Sequence, residues 1–271
     1  MRKIFLLLMI IFTVSGCGSS TGDDSDKSAE KVGMLTQLNS TPEKTAKIYG
    51  GEAINLNFYD DFNALQMALA SKNINSIRTY GSVAKYMKAK NHDFVINEDQ
   101  TVKLVDNFCC AVRQKDDDLK NEFDTAIDAM KADGTLDALI DTYITNATDT
   151  PKPVEITYID GAQTLKVGVT GDLPLLDLVL ADGTPAGFNT AVLAEISKRI
   201  GKNIELVQIN SAARAAALTA GKVDVIFWVV VPADDSDRPK DFDTPAGVAV
   251  TSPYYQDVVV SVNLSTLGAG F

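Results

Sequence analysis

The sequence predicts an α/β protein of two lobes. Short apolar runs alternate with longer amphipathic ones, a proline-bearing stretch interrupts the alternation near the middle, and the alternation restarts beyond it. Two βαβα units joined by long strands imply two lobes with a cleft between them.

The elements follow in order. Lys31 to Leu35 has the composition of a strand, and Ser40-Thr41-Pro42-Glu43 opens a helix, with a serine three residues before a glutamate and a proline in the first turn. Ile54 to Phe58 is a second strand. Asp61 to Ser71 is a helix with Leu65, Met67, Ala68 and Leu69 around one face, and Ile74 to Thr79 a third strand. Ser82 to Lys90 is helical, Val102 to Val112 a long apolar strand, and Asp116 to Thr145 one or two helices broken at Asp133-Gly134. Asp149 to Tyr158 carries two prolines and little periodicity, which marks it as the linker. Beyond it come a strand from Leu165 to Val169 and a helix from Asn189 to Ile200 that stops at Gly201. Ile204 to Ile209 is a strand, Ala212 to Ala220 a helix, Val223 to Val231 a buried strand, Asp234 to Pro245 an acidic loop and Tyr255 to Val262 a last strand.

The N-terminus has a different character. Arg2 and Lys3 precede an apolar run from Ile4 to Val14, then Ser15, Gly16 and Cys17, the order of a secretory signal. The run is well short of the ~20 residues that span a bilayer. Val14-Ser15-Gly16-Cys17 resembles the bacterial lipobox, which implies cleavage before Cys17 and a lipid on its thiol. Gly18 to Lys31 is rich in Ser, Gly, Asp and Lys and reads as a flexible tether. The expected product is exported and held at the cell membrane by lipid, facing the periplasm or the cell exterior.

The whole chain carries 36 acidic and 25 basic residues, a net charge of −11, and removing Arg2 and Lys3 with the leader takes it to about −13. Such acidity argues against nucleic acid as a partner. The adjacent Cys109 and Cys110 lie in an apolar strand and read as core or hinge residues, with a vicinal disulfide as the alternative. The single histidine, His92, sits in a polar stretch that suggests a surface loop, so neither a zinc site nor any cofactor is expected.

Four segments then stand in a telling order: Lys166-Val167-Gly168-Val169-Thr170-Gly171-Asp172, Gly187-Phe188-Asn189, Gly221-Lys222-Val223-Asp224-Val225 and Ser252-Pro253-Tyr254-Tyr255. Together they resemble the first lobe of the bacterial extracellular solute-binding proteins of the polar amino-acid type (family 3, periplasmic binding protein type 2). The first half resembles the family's second lobe, through Val32-Gly33-Met34 with Asn39-Ser40-Thr41, Val83-Ala84-Lys85-Tyr86, Phe108 to Arg113 and Ala132-Asp133-Gly134-Thr135-Leu136. What ends the family's chain thus comes first here, as in a circular permutation. Two incomplete copies, each needing a partner half, is the alternative. The implied division is leader 1–16, lipidated cysteine and tether 17–30, one lobe 31–107, the other 108–262 with its linker at 149–163, and a tail 263–271.

The resemblance implies a solute-binding protein that delivers a small molecule to the permease of an ABC importer by closing two lobes, as a monomer. It also implies ligand contacts at Trp228, Tyr80, Asp172, Leu173, Phe188, Arg214, Asn39, Ser40 and Thr41. Departures accompany it. The arginine expected after the buried strand is replaced within Phe227-Trp228-Val229-Val230-Val231, leaving Arg214, or Arg238 if it is not paired with Asp235, Asp237 or Asp241. Tyr80 stands where the family offers an aspartate to an ammonium. Trp228 reads either as a stacking wall or as core, and Ser40 and Thr41 as ligand contacts or simple helix caps. A missing charged partner favours a less charged solute than a polar amino acid. No catalytic residue is expected: the only candidate for a dehydratase or lyase on this fold is Asp172. A surface sensor without transport is the remaining alternative.

Overall fold

The computed structural model describes residues 29–38, 54–97, 103–148, 150–237 and 244–265. The leader, Cys17, the tether up to Ser28, Asn39, Ser40, Thr41, Arg238 and the chain after Ser265 lie outside the described residues, and the last residue assigned to the tether, Glu30, instead begins the first strand.

The first half contains β1 (Glu30–Leu35), β2 (Ile54–Tyr59), α1 (Phe62–Ala70), β3 (Ser76–Tyr80), α2 (Gly81–Lys90) and β4 (Phe94–Asn97). The chain continues through β5 (Val105–Arg113), α3 (Asp117–Ala132), α4 (Thr135–Ile140), a π turn (Asp141–Thr145) and β6 (Thr164–Val169). Next come β7 (Asp172–Leu173), β8 (Asp177–Val179), β9 (Pro185–Ala186), α5 (Phe188–Ile200) and β10 (Asn203–Gln208). A 3-10 turn (Ser211–Ala213), α6 (Arg214–Thr219), β11 (Val225–Pro232), β12 (Val248–Val250) and β13 (Tyr255–Leu264) complete it. No helix among the described residues is long and apolar enough to cross a membrane.

The local chemistry explains these elements. Asp61 caps α1, its side chain accepting from the Ala64 N–H at 2.7 Å. In α3, Phe123, Ala126, Ile127 and Met130 form the buried stripe, with Asp117 and Asp118 in the first turn and Lys131 in the last, the polarity a helix dipole favours. Gly201 ends α5 at φ 66°, a left-handed cap. In β1 a Cβ at Gly33 would lie 2.5 Å from Ile74 Cδ1 and 2.6 Å from Leu65 Cδ1, so only glycine lets α1 and the bend before β3 approach this closely.

Sheet topology repeats itself. One half is ordered β2-β1-β3-β13-β4 and the other β10-β6-β11-β5, with β12 and β13 both paired to β5. In each, three parallel strands are followed by an antiparallel strand from a distant part of the chain: β13 beside β3, and β5 beside β11. The strand β13 belongs to both. Tyr255–Val258 pairs with β5, and Val259–Asn263 pairs with β3. Residues 259–264 therefore sit with the half that holds residues 30–97, and all of β5 sits with the other. This division is finer than a single cut between 107 and 108.

The linker is fastened rather than slack. The Val154 N–H donates to the Pro185 carbonyl at 2.9 Å, and the Asn203 side chain accepts from the Ile159 N–H at 2.7 Å and donates to its carbonyl at 2.8 Å. Val154 packs on Ala191 and Ala194 of α5. His92 lies exposed in a turn, and Cys109 and Cys110 are free, buried thiols. Burial pushes the Cys109 thiol up to about 12 and Cys110 well above its ordinary value.

The largest apolar cluster runs through both halves, from Phe62, Leu65 and Ile77 to Phe108, Ile127, Phe188 and Trp228. With a shared strand and a shared core, the halves are expected to melt as one unit. Leu65→Ala, which empties a fully buried site, should cost about 3 kcal/mol. Calorimetry, circular dichroism and Trp228 fluorescence should report a single common midpoint that this change lowers; separate midpoints would show the halves to be independent.

Candidate functional site

The junction of the two halves gathers the functional side chains. Trp228 has no partner in the register of β11 with β5: Phe227 faces Cys110 and Val229 faces Cys109, so Trp228 is the extra residue of a bulge. The bulge turns Trp228 to the same side as Phe227, into the main core, while Val229 falls on the other side. The Trp228 ring meets Tyr80 edge-on at 5.9 Å and Phe108 at 5.7 Å, and Tyr80 meets Phe108 at 4.6 Å. Tyr80 comes from the end of β3 in the other half, so this aromatic group bridges the junction.

Over Trp228 lies Arg214, its guanidinium carbon 4.9 Å from the ring centroid. Arg214 is 1 % exposed. It donates through Nη1 to the Trp228 carbonyl at 2.7 Å, through Nε to the Ser211 carbonyl at 3.2 Å and through Nη2 to the Thr36 carbonyl of the opposite half at 3.3 Å. Among the described residues no carboxylate forms an ion pair with it. Burial lowers its pKa to about 10, opposed by the fields of Tyr80 and Asp177, so it stays protonated at neutral pH. A buried cation satisfied only by carbonyls is an uncommon arrangement. Two neighbouring donors are also unmet: Ser211 Oγ and Trp228 Nε1 have no hydrogen-bond partner.

Two carboxylates complete the surroundings. Asp172 reaches across the junction, its Oδ2 accepting from the Phe62 N–H at 2.5 Å at the start of α1, while its buried Oδ1 has no partner. Desolvation raises its pKa against the pull of the Phe62 and Asn63 N–H groups. Asp177 is 2 % exposed, and its Oδ2 accepts from the Thr170 N–H at 2.9 Å and the Thr170 hydroxyl at 3.0 Å.

Trp228, Tyr80 and Arg214 are thus brought together, while Asp172 crosses the junction to the start of α1. Leu173 and Phe188 are not: both are fully buried, and Phe188 is spent on packing against Tyr254 and Tyr255. The Asn39-Ser40-Thr41 turn and Arg238 lie outside the described residues, and Lys103 engages both Asp235 and Asp237, two of the acids expected to hold Arg238. Thr36, Ser211, Asp177 and Asp106 were missed. Asp106 and Trp228 line, with Met34, Leu35, Gln37, Arg78, Thr79, Tyr80 and Val259, a small space at the junction, about 20 Å³.

Burial raises the Asp177 carboxyl from 3.8 to about 6, against hydrogen bonds from Thr170 and Gly171. The folded state therefore binds this proton more tightly than the unfolded chain. The associated stability is full below about pH 4 and is lost as pH rises through 6, on the order of 2 kcal/mol. Relative to wild type, Asp177→Asn should gain thermal stability as pH is raised from 4.5 to 7.5; a constant difference across that range would remove the assignment.

Solved structures resembling the chain include the zinc-bound ligand-binding component of an ABC-type import system from Staphylococcus aureus, at 13% identity and TM-score 0.43, covering 88% of this chain and 67% of that one. A nutrient-binding protein from Burkholderia cenocepacia bound to methionine gives 12% identity and TM-score 0.34 over 87% and 85% of the two chains. A putative methionine-binding lipoprotein from Bacillus subtilis gives 12% and 0.38 over 91% and 87%. No curated protein matches the sequence. A family model matches residues 165–263, a span that includes Trp228, Arg214 and Asp172: that of the bacterial extracellular solute-binding proteins, family 3.

Proposed function

We propose that this chain captures a small solute bearing a carboxylate, of the amino-acid class, and presents it to the permease of an ABC importer. The observation that carries the reading is the protonated Arg214 at the junction of the halves, buried without an ion-pair partner beside the unmet Trp228 Nε1 and Ser211 Oγ. A solute carboxylate would supply the missing negative charge and accept from these donors. The free Oδ1 of Asp172 offers a complement for an ammonium. The family-model match over residues 165–263 supports the solute-binding class.

This reading revises the expectation of a less charged solute. That expectation rested on the arginine missing at Phe227–Val231 and on Tyr80 standing in place of an aspartate, whereas Arg214 offers a cation from the helix before β11 and Asp172 a carboxylate. Tyr80 and Trp228 are proposed as the aromatic walls, with residues 30–97 plus 259–264 forming one lobe and 105–258 the other. The repeated strand order of the two halves supports a permuted chain, in which residues 149–163 join old ends. The protein is read as a binder rather than an enzyme, exported and tethered through a lipid on Cys17.

Isothermal titration of the full-length protein with amino acids, their amides and their decarboxylated amines tests the reading. An amino acid should bind, its amide should bind far more weakly, and Arg214→Ala should weaken binding at least about 30-fold, the loss expected for one partner of a buried charge pair. Equal binding of amide and acid would sink it. Cys17→Ser should move the protein from the membrane fraction to the soluble exported fraction; retention in the membrane would exclude lipid at that residue.

A further inference from the structure

Around Trp228 and Tyr80 the two halves meet without room for a solute. The space there is about 20 Å³, enough for roughly one water molecule, whereas small-molecule sites run to roughly 300 Å³ and more; a larger space of about 310 Å³ lies elsewhere between the halves, where Ser82, Lys85 and Tyr86 face Leu175, Tyr255 and Asp257. Besides the Ser82–Asp257 contacts beside the shared strand, three polar contacts cross the junction. The Asp172 carboxylate, carried at the start of β7, accepts from the Phe62 N–H of α1 at 2.5 Å. The Ser211 N–H, in the turn before α6, donates to the Asp60 carbonyl at 2.9 Å. Arg214 donates to the Thr36 carbonyl at 3.3 Å, beyond the end of β1. In each case one partner comes from the half holding residues 30–97 and the other from the half holding residues 105–258.

The chemistry of these contacts matches what a zwitterionic solute would make. Asp172 puts a carboxylate on the first amides of a helix, and Arg214 puts a cation on a carbonyl of the opposite half. We propose that Asp172 and Arg214 form an internal latch, substituting for solute and holding the lobes shut when nothing is bound, so that capture requires the solute to displace protein groups from one another. This inference rests on the solute-binding reading above. It adds that only the fraction of molecules with the latch open accepts solute, so apparent affinity falls in proportion to that fraction.

Trp228 is the sole tryptophan and lies at the junction, which makes its fluorescence a direct reporter of opening. Full-length protein, unfolded in guanidinium, dialysed and refolded to strip any carried solute, would be examined by acrylamide quenching and by hydrogen exchange at the Ser211 amide. The stripped wild type should show a shielded Trp228 and a protected Ser211 amide. Asp172→Ala should raise quenching severalfold and expose Ser211, although that amide does not touch Asp172; a purely local role would leave Ser211 protected. Asp172→Asn, which keeps an acceptor oxygen without the charge, should fall between the two, and far-UV circular dichroism with the melting midpoint identifies a variant that has failed to fold. A stripped wild type that is already quenched and unprotected overturns the latch, as does an Asp172→Ala protein that folds and stays closed. Failure of every amino acid to bind would instead overturn the solute reading, leaving the comparison of wild type with Asp172→Ala intact.

Discussion

The constraint on which the architecture rests is that one strand serves two sheets. Because β13 pairs with β5 through Val258 and with β3 from Val259 onward, the halves cannot separate without breaking a continuous antiparallel ladder. Motion between them is confined to bending around that ribbon. The same ribbon tethers the functional elements. Asp257 on β13 accepts from the Ser82 N–H at 3.0 Å and from the Ser82 hydroxyl, at the start of α2, where Tyr80 offers no side-chain cap of its own. The strand that defines the hinge thereby also fixes the helix that follows Tyr80.

The junction derives its polarity from a trade between packing and charge. A tyrosine, a phenylalanine and a tryptophan occupy the space, and aromatic rings make a water-poor setting in which a cation is costly. Arg214 persists there because three carbonyls and a ring face take up much of its donor capacity. The arrangement stays electrically incomplete, and in the proposed function that incompleteness is what a solute carboxylate binds.

Much of the architecture was legible in the sequence, because the periodicity of helices such as α3 and α5 and the apolar runs of β5, β6 and β11 are local properties. Elements without a local signal were not: β4, β12 and the two- and three-residue strands β7, β8 and β9 are too short to show alternation. The division of β13 between two sheets is a matter of pairing that no single segment reports. At the site, Trp228, Tyr80, Asp172 and Arg214 could be found because each stands at a motif position or replaces a residue expected there. Thr36 was invisible since it contributes a backbone carbonyl, and Ser211 since its role comes from standing beside Asp60 in space. Leu173 and Phe188, also expected at the site, are engaged in packing. Neighbours of site residues in sequence, they point into the core, as alternation along a strand and the inward face of a helix require.

The pair of thiols in β5 has a consequence for how such a chain must mature. Once folded, Cys109 and Cys110 are sealed in an apolar strand and hold their protons far more tightly than free cysteine, so oxidants outside the cytoplasm find almost no thiolate to attack. Before folding, both are exposed and as reactive as any free cysteine. For the exported chain proposed above, maturation is therefore a race: the emerging polypeptide must bury β5 between β11 and β13 before oxidants reach the nascent sulfurs. The native state then guards its own redox chemistry by sequestration alone.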